Sequence, residues 1–385
     1  MHLSLTEEQQ MIQDAAKKFA ESELQPVAEK LDQTKDYEIT KAHCKKLAEL
    51  GFMGLNIDAD YGGTEAGVVA FSLAITEIAK ACASTAVTMS VTNMVAEVIQ
   101  VVGNEAQKER YLPKICSGEY LSGSFCLTEA GAGSDPSAMR TRATKTDGGW
   151  SISGTKQWIT SASFAGVFVV WAVTDADAPK GKGISCFLVE AATPGITVGP
   201  GEKKMGQHGS ATNEVHFENC LVPDSALLGK LNDGFRIAVA ELAGGRIGIG
   251  SLALGIGLAA MDYATRYATE RKQFDKPISE FQGLQWMIAD RATELEAARL
   301  LLMSAADKKE RGLPFAKEAS MAKLFASEKA NQACYSALQL LGGYGYMQEY
   351  PLERMTRDAR ITSIYEGTSE VQRIVIAREI LREYR

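Results

Sequence analysis

The hydrophobic period of this chain changes twice, and that change limits the fold more than any single residue does. Up to about residue 120, apolar side chains recur at three- and four-residue spacing. From Ser122 to Phe235 they fall instead into short β-branched and aromatic runs, separated by Gly, Asp, Asn and Pro. Helical spacing returns at about 236 and holds to the end. A 3.6-residue period marks a helix with one buried face, and short runs between turn residues mark strands. The expected class is therefore α+β multidomain. It has an N-terminal all-α domain at 1–120, a middle antiparallel β-barrel or sandwich at 121–235, and a C-terminal four-helix bundle at 236–385. At 385 residues the chain is long enough for two or three domains of the usual ~150.

Local signals fill in the elements. Thr6 and Gln9 form a capping-box pattern opening a helix with Met11, Ile12, Ala15 and Phe19 on one face. Similar periodicity appears near 40–50, ending at Gly51, in the Ala-rich run 67–83, and in two helices within 92–118 that close at Gly118. In the middle region the strand candidates start at Trp150, Lys156, Val167, Ile184 and Glu214, with Asp147-Gly148-Gly149 as a hairpin turn. Beyond them, Leu284, Met287, Ile288, Ala292, Leu295 and Ala298 define a helix stopped at Gly312-x-Pro314, and further helices cover 315–341 and 369–384.

Charge and composition exclude several function classes. Lys and Arg total 41 against 48 Asp and Glu, so the net charge is −7 and no basic stripe offers itself to a nucleic-acid backbone. The seven cysteines are scattered without a C-x-x-C pair, which suits buried thiols in a reducing compartment. The histidines at 2, 43, 208 and 216 lack ligand spacing, so no metal is expected. No run of 18 apolar residues predicts a membrane span, and the first residues show neither a secretory nor a transit pattern. A cytoplasmic location is the expectation.

Three glycine-rich stretches invite a cofactor reading. Gly248-Ile-Gly250-Ser-Leu-Ala253 nearly matches a dinucleotide fingerprint, but its flanks are helical and no strand precedes it, so close helix packing explains it better. Gly131-Ala-Gly133-Ser134-Asp135 follows an apolar strand-like run and could bring backbone amides and hydroxyls close to a phosphate or carbonyl. Gln339-Leu-Leu-Gly342-Gly343 reads equally well as an ordinary helix end. The sharpest segment is Tyr365-Glu366-Gly367-Thr368-Ser369-Glu370. Thr368 or Ser369 can cap the last helix there, and Glu366 is either a solvated carboxylate or a placed one.

Taken in order, Cys126–Asp135, Lys156-Gln-Trp-Ile-Thr160, Arg271-Lys-Gln-Phe274, Gln339–Gly343 and Tyr365–Glu370 make the chain resemble the acyl-CoA dehydrogenase family of flavoproteins. The resemblance spans nearly the whole chain and its α–β–α organisation. It implies FAD, a homotetramer built as a dimer of dimers, an acyl-CoA substrate and an electron-transfer flavoprotein as partner. Carried over residue by residue, Phe125, Leu127, Thr128, Gly133 and Ser134 would line the flavin, with Trp158 and Thr160 over its opposite face. Arg271, Phe274, Gln282, Gln339 and Gly343 would reach the FAD of a neighbouring subunit, and Thr368 and Glu370 its adenine-diphosphate side. Ser134, Arg246, Tyr365 and Gly367 would meet the substrate, Arg246 toward the CoA nucleotide.

The resemblance assigns Glu366 as the base that removes the α-proton while hydride leaves the β-carbon for flavin N5. The Glu366 backbone N–H, with a flavin ribityl hydroxyl, would bond the thioester oxygen. Branched- and long-chain members carry the base directly before the helix arginine, where this chain has Gly245. Glutaryl-type members place an arginine near the Ala86–Met89 run, where this chain has none. Both features predict an unbranched, uncharged short- to medium-chain acyl group. Three positions depart from the family pattern: Ala130 replaces Pro, Asp275 replaces Gly, and Ala243 replaces an Asp that contacts CoA, for which nearby Glu241 is a candidate substitute. The alternatives are a non-catalytic or repurposed flavin- or acyl-CoA-binding scaffold, and an oxygen-using oxidase of the same fold.

Overall fold

The computed structural model describes residues 4–384, so His2 lies outside the described residues. The first part is helical: α1 (Glu7–Phe19), α2 (Ala28–Thr34), α3 (Tyr37–Glu49), α4 (Gly67–Ala81), α5 (Ala83–Val102) and α6 (Glu105–Cys116). The expected capping box opens α1, with the Thr6 hydroxyl accepting from Gln9 N–H at 3.2 Å and the Gln9 amide oxygen accepting from Thr6 N–H at 3.1 Å. The buried face of α1 is carried by Ala16 and Phe19, whereas Met11 is 71% exposed, contrary to its place in the sequence pattern. Helix α5 begins at residue 83 rather than 92, because Ser, Thr and Met positions that look polar or ambiguous in sequence are all buried there.

The middle part is one curved eight-stranded sheet. It comprises β1 (Gly123–Cys126), β2 (Arg142–Thr146), β3 (Gly149–Thr160), β4 (Val167–Val173), β5 (Ile184–Glu190), β6 (Ile196–Val198), β7 (Thr212–Pro223) and β8 (Leu227–Leu228). The runs beginning at Trp150 and Lys156 are one strand, joined to β2 by the expected turn, with Gly148 at φ +73°. Most pairs are antiparallel, but β1 and β2 both pair with β4 in parallel. Each of these parallel pairs brings together distant segments, which an alternating sequence pattern does not reveal. Alternation along β4 sends Phe168 and Val170 to one core and Val167, Val169 and Trp171 to another.

The last part contains α7 (Gly234–Glu270), α8 (Gln282–Glu310), α9 (Ala316–Leu341), α10 (Pro351–Arg360) and α11 (Ser369–Arg382). Leu295 and Ala298 are buried in α8 as patterned, but Ala292 is exposed. Helix α7 is the spine of the molecule. Its small residues let α4, α5, α8 and α9 approach closely: a Cβ at Gly250 would lie 2.7 Å from Leu302, and one at Gly257 3.1 Å from the Ala330 backbone. The near-fingerprint at 248–253 is thus packing surface within a continuous helix. By length and composition α5 and α7 could cross a membrane, a property the sequence pattern did not disclose. In each, however, 78% of the most apolar stretch is buried inside the fold, as core helices are. The seven cysteines are free and buried, and no cluster of metal-ligating side chains occurs among the described residues.

Candidate active site

Two buried tethers hold the loop after β1 against β3. The Lys156 ammonium, fully buried in β3, donates to the Leu127 carbonyl at 3.1 Å and to Glu129 Oε1 at 2.9 Å. Glu129 in turn accepts from the Arg140 and Thr141 backbone N–H groups at 2.6 and 2.9 Å. This network closes the loop carrying Thr128, Gly131, Gly133 and Ser134. A β-bulge then interrupts β3 between Lys156 and Ile159, putting Trp158 at φ +56° and leaving it 55% exposed. Gln157 N–H donates to the Thr128 carbonyl at 2.9 Å, so the bulge and the loop are held together. Phe125 is half-buried, with its ring 4.2 Å from that of Trp171, and Leu127 is buried behind the loop. The Thr160 carbonyl accepts from the Ser124 hydroxyl at 2.7 Å. Gly131 and Gly133 have nothing within 4 Å of where a Cβ would stand.

A second group gathers at the far end of the bundle. Arg271, Gln339 and Gly343 line a cavity of about 560 Å³ with Tyr267 and Tyr344. The Arg271 guanidinium lies 5.6 Å from the Tyr344 ring centroid. Phe274 is 87% exposed at φ +51°, and Gln282, which opens α8, is also exposed. No residue of β3 or of the loop after β1 lines this cavity.

The third group surrounds Glu366. The segment Tyr365–Gly367 connects a turn at Ile361–Ser363 to α11, whose first turn is capped by the Thr368 hydroxyl accepting from Val371 N–H at 3.2 Å. Glu370 is exposed in that first turn. The Tyr365 hydroxyl meets Gln207 Nε2 at 3.2 Å. Glu366 has φ +50° and Gly367 φ +89°, both left-handed. The Glu366 carboxylate lies against Gly245 of α7, where an added Cβ would overlap it and stand 2.8 Å from Met94 Sδ. Burial pushes the Glu366 carboxyl up to about 7, opposed by the cationic Lys323 and Arg246. Arg246 is buried, donates to the Ser320 hydroxyl at 3.2 Å, and is itself held down to about 10 by burial.

Among the described residues, ten buried side-chain polar atoms lack a hydrogen-bond partner. Five of them gather here: Glu241 Oε1, Arg246 Nε, Glu366 Oε2, Ser369 Oγ and Gln372 Oε1. Buried polar groups are normally satisfied, so such a concentration marks a surface built to meet a ligand. The open glycine faces, the exposed Trp158 and the hydroxyl-bearing loop likewise suit a flat ring carrying phosphates. The chain therefore fits a bound flavin nucleotide.

Sequence reasoning did not anticipate Lys323 or Met94, and it noted Gln372 beside the 365–370 segment without giving it a role. For Lys323 a signal existed: it sits on the small-residue stripe Ala319, Ser320, Ala326, Ser327 and Ala330, where a surface lysine does not belong. Met94 carries no such mark.

Residues 6–119, 124–220 and 232–381 match the family descriptions "Acyl-CoA dehydrogenase" N-terminal, middle and C-terminal domain. The chain is 46% identical over 385 residues to the acryloyl-CoA reductase (NADH) of Anaerotignum propionicum, covering 99% of this chain and 96% of that one. It superposes on the butyryl-CoA dehydrogenase of Megasphaera elsdenii with a TM-score of 0.95 at 40% identity, over 99% and 100% of the two chains. A chain of the solved structure described as the electron transferring flavoprotein of Acidaminococcus fermentans matches with a TM-score of 0.96 at 44% identity, over 99% and 100%.

Proposed function

The chain belongs to the acyl-CoA dehydrogenase family, FAD-dependent oxidoreductases acting on a CH–CH group, and on that premise we propose that it converts an unbranched, uncharged short- to medium-chain acyl-CoA to the trans-2-enoyl-CoA with Glu366 as the base. One observation carries the assignment: a buried, unpartnered carboxylate oxygen of Glu366 stands among the densest group of unsatisfied polar atoms in the described residues.

A thioester α-proton is weakly acidic, so a placed base must remove it as the β-hydride departs. The flavin, when bound, supplies the hydride acceptor. Glu366 Oε2, free of hydrogen bonds, offers the lone pair for the proton. With its carboxyl near 7, Glu366 can both take and release a proton at neutral pH. The Glu366 backbone N–H donates to the thioester oxygen and stabilises the developing enolate charge. Met94 and the glycine face of α7 close the wall beside the carboxylate and keep water out.

Phe125, Leu127, Thr128, Gly133, Ser134, Trp158 and Thr160 hold the flavin. Arg271, Phe274, Gln282, Gln339 and Gly343 serve the site of a neighbouring subunit in a homotetramer, and Thr368 and Glu370 the diphosphate side. Tyr365, Gly367, Ser134 and Arg246 meet the acyl-CoA. Gly245 at the place before Arg246, the lack of an arginine around 86–89 and the butyryl-CoA dehydrogenase relative support the short unbranched chain. Electrons pass to an electron-transfer flavoprotein, a reading supported by the Acidaminococcus structure.

Anaerobic flavin bleaching by a series of acyl-CoAs tests the substrate class, and fastest bleaching by isovaleryl- or glutaryl-CoA sinks it. For the base, Glu366→Gln keeps shape and removes the proton acceptor. Stopped-flow flavin reduction should slow at least about a thousandfold, or ~4 kcal/mol. A loss within tenfold returns Glu366 to an ordinary loop carboxylate. The acryloyl-CoA reductase relative favours a second reading, reduction of a 2-enoyl-CoA by the same residues. Reoxidation of the reduced protein by crotonyl-CoA, compared with its reduction by butyryl-CoA, shows which direction is faster.

A further inference from the structure

The turn that carries Glu366 is held from one side by a residue that the reading above leaves without a task. Two consecutive left-handed residues, one of them not glycine, make a backbone that needs outside support. Part comes from Gln372, whose amide donates to the Gly367 carbonyl at 2.8 Å and the Glu366 carbonyl at 3.3 Å. The other part comes from Lys323 of α9, whose ammonium donates to the same Gly367 carbonyl at 2.7 Å.

Lys323 is fully buried. Its starting point is fixed, because its backbone lies 3.4 Å from where a Cβ of Gly250 would stand, so the close approach of α7 and α9 sets where the side chain begins. An ammonium has three N–H donors, and the Gly367 carbonyl uses one. A neutral donor would serve that carbonyl equally well, without the cost of burying a charge. What distinguishes a cation here is the carboxylate next door, whose Oε2 has no hydrogen-bond partner.

We propose that Lys323 is a positioning residue for Glu366: it pins the left-handed 366–367 turn through the Gly367 carbonyl and, by its charge, keeps the neighbouring carboxylate ionised for proton abstraction. The inference rests on Glu366 being the base. The other charged groups around this pair are Arg246 and Glu241 from α7, which face the carboxylate, and Glu370 from α11, which faces the ammonium, with Arg378 of α11 beyond Arg246 and the Lys309–Glu97 ion pair beyond Glu241. Burial holds the Lys323 ammonium down to about 8, and Glu366 acts to raise it, as mutual stabilisation of opposite charges requires.

The test uses the FAD-loaded enzyme and the variants Lys323→Arg, Lys323→Gln and Lys323→Met, with Glu366→Gln as reference. Two pH profiles are recorded: anaerobic flavin reduction by butyryl-CoA, and exchange of the α-hydrogens of acetyl-CoA with D2O. Acetyl-CoA has no β-carbon, so its exchange reports the base without hydride loss. The arginine variant should keep the wild-type profile. The glutamine variant retains a donor for Gly367 and lacks the charge, and it should move the rising limb of both profiles up by about one pH unit or more. Rates below the limb fall about tenfold, and those above it recover. The methionine variant should show the same shift with a lower plateau. An unmoved limb in Lys323→Gln overturns the proposal, even if the rate falls uniformly. Failure of both neutral variants to fold beside a normal arginine variant also overturns it, by assigning the lysine to the core alone. If Glu366→Gln itself exchanges and reduces at nearly wild-type rate, it is the base assignment that fails, a result the lysine variants cannot produce.

Discussion

Replacing the Glu366 carboxyl should make the protein more stable while disabling it, and the gain should depend on pH in a defined way. Burial raises Glu366 from an ordinary 4.5 to about 7. A group whose folded-state pKa is raised contributes stability that is complete below its unfolded value and is lost as pH rises through its folded value. Ionising Glu366 within the fold is therefore a pH-dependent burden that begins near 4.5 and levels off above 7. At about 1.4 kcal/mol per unit, this amounts to about 3 kcal/mol per chain at pH 8. Glutamine has nothing to ionise and escapes that loss. The assay is urea unfolding of the flavin-loaded wild type and Glu366→Gln, without acyl-CoA, at steps from about pH 5 to about pH 8.5. Buried carboxyls such as Asp358, also raised to about 6 by burial, titrate in both proteins and cancel to first order. The difference should favour the variant increasingly with pH and then flatten. A difference constant across that range refutes the reasoning, as does one that shrinks with rising pH, because either shows the carboxylate to be solvated or fully paired.

Other substitutions probe the rest of the site. Arg271→Ala should lower the flavin-to-protein absorbance ratio after gel filtration, since it removes a guanidinium offered to a phosphate; unchanged retention contradicts the cross-subunit reading. Gly367→Ala places a Cβ 2.6 Å from Gln372 Nε2 at φ +89°, so it should cost about 1–3 kcal/mol in urea unfolding. Lys156→Met leaves Glu129 buried without its cation, and the same assay should register a loss of about 3–5 kcal/mol. A loss below about 1 kcal/mol would show that Glu129 protonates or finds water instead.

Features set by neighbouring residues could be read from the sequence. The Thr6–Gln9 cap, the two-residue turn at Asp147-Gly148 and the Thr368 cap of α11 involve partners a few residues apart, and each appears in the structure. Features set by distant pairing could not be read. The parallel pairing of β1 and β2 with β4 depends on segments tens of residues away. Met11 fits the helical stripe of α1, yet the core meets that helix nearer Ala16 and Phe19. Within the candidate site, motif order singled out Glu366, but its place against Gly245, a glycine that Met94 also approaches, exists only once α5, α7 and the 365–367 turn are assembled. Lys156 and Lys323 illustrate the same limit: lysine in a sequence reads as surface, and only a specific carboxylate or carbonyl partner makes its burial tolerable.

Gly245 also constrains how this enzyme could evolve. The family resemblance places the base of some members on the helix at this position, whereas here a methyl group would meet the tips of the Glu366 and Met94 side chains. A side chain at 245 is therefore accommodated only if those two flexible tips swing away. On the proposed assignment of Glu366 as the base, a lineage changing residue 245 first would displace that base, and one changing residue 366 first would lose it. Migration of the base from loop to helix would then pass through single mutants impaired in proton abstraction, and a paired change or a smaller residue at 94 would ease the passage. The acyl specificities that the resemblance links to a helix-borne base would thus lie more than one substitution from this sequence, despite the shared fold.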